Sequence, residues 1–177
     1  QVQRLFLERY GRETEYITYG ANIRPVERTG EVERQKLEHN RYLIQVAALL
    51  PDKGVHVLIE AYEKLETDMP LVIVGDTPYA TEYKTRLMAT KDKRIRFLGY
   101  IYGERYRELV QQAYAYVHPL IVDGTSPALL QVMALGKCVF STDLPETMVV
   151  ADGDAMTFTS EDIEDLHAKL AFASARH

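Results

Sequence analysis

Two short stretches of this 177-residue sequence hold residue types that do chemistry with anions. One is Pro51, Asp52, Lys53 and Gly54. The other starts at His118 and Pro119 and continues through Asp123, Gly124, Thr125 and Ser126. The second stretch opens into SPALLQVMALG, a helix signature with Ser126 as N-cap, Pro127 at the first helical position and Gly136 at the end. A helix N-terminus leaves backbone N–H groups unpaired and carries a partial positive charge, so it binds anions. Small residues from Gly124 to Ser126 let a phosphate approach that backbone, and Lys53 adds a full positive charge if the two loops meet. The chemistry is that of a diphosphate site. On these features alone the plainer reading stays open, in which Gly-Thr-Ser-Pro is only a good helix start.

The elements around these loops decide whether they meet. From residue 41 onward the chain alternates between apolar runs and amphipathic segments. RYLIQVAA (41–48), PLVIVGD (70–76), RIRFLGY (94–100), AYVHP (115–119), CVFST (138–142) and AMTFT (155–159) read as strands. KGVHVLIEAYEKLE, YATEYKTRLMAT, GERYRELVQQA, SPALLQVMALG and EDIEDLHAKLAFA read as helices between or after them. Strict alternation implies parallel strands joined by right-handed helical crossovers, and continuous apolar strands imply a sheet covered on both faces. The fold class is α/β, a doubly wound parallel sheet of about six strands. In such sheets ligands bind at the carboxyl ends of the strands, where strand order reverses. With order 3-2-1-4-5-6, that point lies between the first and fourth strands, where the Lys53 and His118–Ser126 loops belong.

Composition narrows the classes. The formal net charge is −5 and 46% of residues are hydrophobic. That is ordinary globular composition, and it argues against a polyanion binder with a basic surface, hence no nucleic-acid partner. One cysteine excludes an internal disulfide framework, and Cys138, opening an apolar strand, reads as core. Apolar runs such as LIQVAALL are too short to span a bilayer. Gly-x-Ser-x-Gly, Gly-x-Gly-x-x-Gly after the first strand and a P-loop are all missing. A phosphorelay receiver would need an acidic pair where the first strand ends in Ala-Ala-Leu-Leu. Asp152-Gly153-Asp154 reads as a turn and not as a metal motif.

Residues 1–40 break the rhythm. Val2 to Tyr10 reads as a helix, TEYITYGANI as a strand running into a turn, and RPVERTGEVERQKLEHN as a linker or a solvated helix. The expected division is 1–25 as the tail of a preceding domain, 26–40 as linker and 41–177 as the α/β domain.

VAALLPDKGVHVLIEAYEKL, PLVIVGDTPYATEYKTRL, IRFLGYIYGERYRELVQQAYAYVHP and DGTSPALLQVMALGKCVFSTDLPE stand in one order along the chain. Together they resemble the carboxy-terminal domain of retaining GT-B glycosyltransferases, most of all glycosyltransferase family 4 and its bacterial enzymes of polysaccharide assembly. The resemblance implies the Rossmann-like half of a GT-B fold. It implies a nucleotide-diphosphate sugar donor (a UDP-, GDP- or dTDP-sugar), no metal or other cofactor, and transfer with retention to a glycan or lipid-linked acceptor. Its partner would be the amino-terminal acceptor domain of the same protein, whose last helix and strand would be residues 1–25. It implies a cytoplasmic location, and family relatives often sit at the inner membrane face. It predicts a fragment inactive alone.

Carried over by position, Lys53 contacts the donor phosphates, and Gly124, Thr125 and Ser126 cradle them. Tyr100, Ile101 and Tyr102 lie in the loop facing the base, and Gly75 and Asp76 form the turn after the second strand. Two positions depart from the family pattern. Its arginine after the first strand is replaced in Ala47-Ala48-Leu49, at Ala48. Its two glutamates, with seven residues between them, become Asp123 and Gln131. Gln131 would hold the ribose through an amide without charge assistance. Asp123 and His118 are the catalytic candidates. Asp123 is either a sugar-facing carboxylate or part of an Asp-Gly turn, and His118 either meets sugar or phosphate or satisfies a buried carbonyl. The two departures also admit a degenerate, non-catalytic module that acts through protein contacts.

Overall fold

The computed structural model describes residues 2–15, 17–79, 81–122 and 126–175. Asp123, Gly124 and Thr125 lie outside the described residues. Six parallel strands form one sheet in the order β3-β2-β1-β4-β5-β6. They are β1 (Leu43–Val46), β2 (Leu71–Val74), β3 (Ile95–Gly99), β4 (Ala115–His118), β5 (Cys138–Thr142) and β6 (Met156–Phe158). The order reverses between β1 and β4, whose register pairs Leu43 with Ala115 and Ile44 with Tyr116. The alternation of the sequence therefore yields the doubly wound sheet, with its switch point where the motif-bearing loops begin.

Both faces are covered, which is why β2 and β4 are buried at every position. On one face α3 (Val55–Glu63), α4 (Thr81–Met88) and α8 (Ile163–Ser174) pack over Leu43, Leu71, Ile73, Val117 and Phe140. On the other, α5 (Gly103–Gln112) and α6 (Pro127–Ala134) cover Ile44, Val72, Val74, Tyr116 and Val139. Strand side chains thus alternate between two cores rather than between core and water.

Several elements differ from the sequence reading. Among the described residues, 14–23 form no strand, and Ile17, Tyr19 and Ile23 are exposed, because this stretch pairs with no sheet edge. The helix α7 (Pro145–Ala151) was not legible, since LPETMVVA is short and its N-cap Leu144 makes no side-chain hydrogen bond. Cys138 is exposed at the first position of β5, not in the core, because burial begins one residue later. The polar stretch holds α2 (Glu31–Arg34), which seats the fully buried Glu31 and Val32 against α5. Glu108 on α5 explains that seat. It accepts hydrogen bonds from the Thr29 amide at 2.9 Å, the Glu31 amide at 3.0 Å and the Thr29 hydroxyl. The α1 helix (Val2–Tyr10) buries no residue. No helix among the described residues is long and apolar enough to cross a membrane.

Candidate functional site

The site is built at the carboxyl edge of the sheet by close approach of strand ends. Gly75 follows β2 at φ +124°, and a Cβ there would lie 2.0 Å from the Ala47 carbonyl oxygen after β1. The Ala47 amide donates to Val74 at 3.0 Å, and the Gly75 amide donates to Gly99 at 2.7 Å. Only glycine permits this approach, because any side chain would collide with backbone. Above the three joined strand ends opens a pocket of about 520 Å³.

Val46, Ala47, Ala48 and Leu50 line it from β1, and Val74 to Tyr79 from β2. Tyr100, Ile101, Tyr102, Gly103 and Tyr106 close it from the turn after β3 and the start of α5. The walls are mainly apolar and aromatic, as ligand pockets are. Tyr100 and Tyr102 stack with ring centroids 5.8 Å apart and planes 12° apart. Tyr102 is 73% exposed and Ile101 only 7%, so the loop anchors through Ile101 and holds both tyrosines at the rim. Opposite them, the Thr77 hydroxyl accepts from the Tyr79 amide at 3.1 Å, a local turn that sets Tyr79 at the other rim. Asp76 pairs with Lys84 at 2.5 Å and accepts from the Thr77 amide at 2.7 Å. The Lys84 ammonium, with the Thr77 amide behind it, holds the Asp76 carboxyl below its ordinary range.

The Lys53 loop and the β4 loop do meet. The Ile121 amide donates to the Asp52 carbonyl at 3.0 Å, and Gly54 packs directly on the Pro119 backbone. Buried Gln45 on β1 donates to the Lys53 carbonyl at 3.0 Å, fixing the loop from below. The Lys53 ammonium lies 2.8 Å from Asp52 and its side chain is 31% exposed. His118 ends β4 with 4% exposure, its ring 5.9 Å from that of Tyr116. The Tyr116 hydroxyl reaches the Val46 carbonyl at 3.3 Å, which links β4 to the pocket floor.

The Ser126 hydroxyl accepts from the Leu129 amide at 3.3 Å, with Pro127 in the first turn of α6, as the capping signature predicts. Further along α6, Gln131 is paired with Asn22. Its Oε1 accepts from the Asn22 amide at 3.1 Å and its Nε2 donates to the Asn22 carbonyl at 2.8 Å. Of the expected residues, the structure thus sets Tyr100, Ile101 and Tyr102 in the pocket, Lys53 and His118 in touching loops, and Ser126 at the start of α6.

Sequence reasoning missed Tyr106, although it stands four residues after Tyr102 and so shares its helix face. It also missed the role of Asn22, which stands in TEYITYGANI, read as a strand running into a turn. Among the described residues no group of three or more His, Cys, Asp or Glu is arranged to hold a metal ion. Asp152 and Gly153 adopt left-handed conformations that close α7, so this motif is a turn.

Comparison with known proteins agrees with the architecture. The family described as "Glycosyl transferases group 1" matches residues 29–175. The D-rhamnosyltransferase WbpZ of Pseudomonas aeruginosa is 31% identical over 144 residues, covering 78% of this chain and 37% of that protein. O-antigen chain mannosyltransferase B of Escherichia coli is 29% identical over 140 residues, covering 74% of this chain and 36% of that protein. The chain therefore spans little more than a third of these relatives. Among solved structures, Anabaena HepE in complex with UDP and glucose superposes with a TM-score of 0.80 at 19% identity, over 96% of this chain and 50% of that one. WaaG, a glycosyltransferase of lipopolysaccharide biosynthesis, gives 0.74 at 20% identity, again over 96% and 50%. The fold is that of a GT-B carboxy-terminal domain, and the chain belongs to the glycosyl transferases group 1 family.

Proposed function

We propose that this chain is the donor-binding half of a glycosyltransferase of bacterial polysaccharide assembly. It moves a sugar from a nucleotide-diphosphate sugar to a glycan or lipid-linked acceptor with retention at the anomeric carbon. The observation that carries this reading is the tyrosine-rimmed pocket over the carboxyl ends of β1, β2 and β3, on the same sheet edge as the Lys53 loop after β1 and the start of α6 after β4. The base enters the pocket against Tyr100, Ile101 and Tyr102. The diphosphate meets Lys53 and the amides at the start of α6, with Gly124 and Thr125 letting it approach. Asp123 and His118 take the catalytic role.

As the bond from the anomeric carbon to the diphosphate oxygen breaks, negative charge grows on the leaving diphosphate. Lys53 and the fixed N–H dipoles of α6 stabilise it without metal. The acceptor oxygen attacks the same face, so no protein nucleophile is needed. Residues 1–25 are the tail of an amino-terminal acceptor domain and 41–177 the donor domain. The cleft is complete only when the two close, so the isolated chain binds nucleotide weakly and transfers little or nothing.

The names of the relatives support the sugar-transfer class, and HepE was crystallised with UDP and with UDP-glucose. Titration of the chain with UDP, GDP and dTDP, followed by tyrosine NMR, tests the reading. Saturable binding of one nucleotide, with shifts confined to the pocket tyrosines, is the expected result. Binding of none at millimolar concentration, repeated with the full-length protein, overturns it.

A second reading is a non-catalytic module, favoured by Ala48 standing where the family carries arginine. Sugar transfer by the unmodified full-length protein rules it out.

A further inference from the structure

We propose that Gln131 is a positioning residue that latches residues 22–27 across α6 and α5, and that it does not hold the nucleotide ribose. The inference rests on the donor-site reading above for its second half only.

The contact is a matched pair. A residue in extended backbone presents its N–H and C=O to the same side, and a strand neighbour satisfies both. The Gln131 amide does the same for Asn22, accepting from its N–H at 3.1 Å and donating to its C=O at 2.8 Å. Only a side-chain amide among the acid–amide pair can do this. A carboxylate has acceptors alone, so it would keep one bond and set an anion against the Asn22 carbonyl. Glutamate at this position and a latched segment are therefore incompatible, which accounts for the departure from the family pattern at Gln131.

The segment continues to a second fastening. The Asn22 side chain accepts from the Arg24 amide at 3.1 Å, turning the backbone. The Arg24 carbonyl then accepts from the buried Arg107 guanidinium at 2.6 Å. The Arg24 guanidinium pairs with Glu104, which also accepts from the Glu27 amide at 3.3 Å. Glu104 and Arg107 lie on α5, whose Tyr106 and N-cap Tyr102 form a wall of the pocket. Gln131 thus ties α6, through a strap of backbone, to the helix that carries the pocket wall. Asn22 is exposed, so its amide owes its protection from solvent exchange to this bond.

The test compares Gln131→Ala, Gln131→Glu and Asn22→Pro with the wild-type chain in two measurements. The first is hydrogen exchange over residues 17–27. All three variants are expected to exchange at least fivefold faster at remaining amides there. Gln131→Glu, although isosteric, is expected not to rescue. Wild-type exchange in Gln131→Ala, or rescue by Gln131→Glu, overturns the latch.

The second measurement is affinity for UDP and GDP against their 2′-deoxy forms. A latch leaves the ratio of the two affinities unchanged in Gln131→Ala. A ribose ligand makes that ratio collapse toward one and makes Gln131→Glu bind ribonucleotide more tightly, and either result overturns the proposal. If no nucleotide binds the wild-type chain, the donor-site reading fails while the exchange measurement still decides the latch.

Discussion

The Pro119 carbonyl oxygen lies 1.7 Å from the point where a Cβ on Gly54 would stand. Gly54 is at φ +64°, ends the turn of Pro51–Lys53 and precedes α3, so one residue sets both the angle of that helix and the distance between two loops. Gly54→Ala must push the β4 loop away or distort the turn. Backbone collision and a left-handed alanine together cost about 2–4 kcal/mol. The expected result is a lowering of Tm by roughly 5–15 °C, from about 2–4 °C per kcal/mol for a chain of this size. Nucleotide affinity should fall with it, because Lys53 moves relative to α6. A melt coinciding with wild type would show that the loops are not packed as described.

Lys53 brings a positive charge to the loop after β1, which touches the β4 loop. Its ammonium pairs with Asp52 at 2.8 Å, an exposed contact that a diphosphate can replace. Lys53→Ala is expected to weaken UDP or GDP binding about tenfold, close to 1.4 kcal/mol, and to flatten its salt dependence. The nucleoside without phosphates should bind both proteins alike. Calorimetry at two ionic strengths separates these outcomes, and an equal loss for the nucleoside would move Lys53 away from the phosphates.

The strands, though not most of their ends, and the α6 cap were legible because each rests on local chemistry. CVFST is bounded by Lys137 and Asp143 and became β5 without change, and Ser126 with Pro127 became the cap it resembles. The switch point followed from alternation together with the strand order 3-2-1-4-5-6, which the sheet shows. The strap was not legible, because Asn22 and Gln131 are 109 residues apart and nothing in either neighbourhood announces the pairing. The α2 seat was hidden for a related reason. Charge in RPVERTGEVERQKLEHN reads as solvation, yet Glu31 is buried because Arg105, from a distant helix, lies 2.6 Å away. Buried polar contacts of this kind depend on partners that sequence spacing does not reveal.

The tyrosine rim is expected to dominate affinity for the base. Tyr102 is exposed and stacked on Tyr100, so its removal leaves the pocket floor of Ala47, Ala48 and Ile101 intact while taking away one of the two stacked rings. A base stacked on one aromatic side chain gains about 1–3 kcal/mol. Tyr102→Ala should therefore weaken nucleotide and nucleoside equally, by about five- to tenfold, with no change in Tm beyond about 2 °C, the scale of a surface substitution. This pattern is the opposite of that expected for Lys53→Ala, where only the phosphorylated ligand suffers. A selective loss of the diphosphate in Tyr102→Ala would place the base elsewhere.

The buried charges under α2 give the domain a defined acid limit. The Arg105 guanidinium pulls the Glu31 carboxyl down from its ordinary 4.5 to about 2, against burial, with Gln35 and Arg34 adding to the pull. Burial opposes ionisation of Glu108 too, but the Thr29 hydroxyl and the amides of Glu31 and Thr29 outweigh it and hold that carboxyl below its usual range. Both groups have folded-state values below their unfolded ones. The stabilisation from Glu31 is therefore complete above about pH 4.5 and is lost as pH falls toward 2, and that from Glu108 is lost in the same direction. The Tm should be level from neutral pH down to about 5 and then drop steadily, on the scale of the usual carboxylate titration. Arg105→Ala, which removes the leading pull on Glu31 from a half-exposed position, should make that drop shallower. Glu108→Ala strands the Thr29 and Glu31 donors and should cost about 3 kcal/mol at neutral pH. Circular dichroism melts from pH 7 to 3 read both effects. An acid profile unchanged in Arg105→Ala would mean that Glu31 titrates normally and that α2 is held by its apolar contact at Val32 instead.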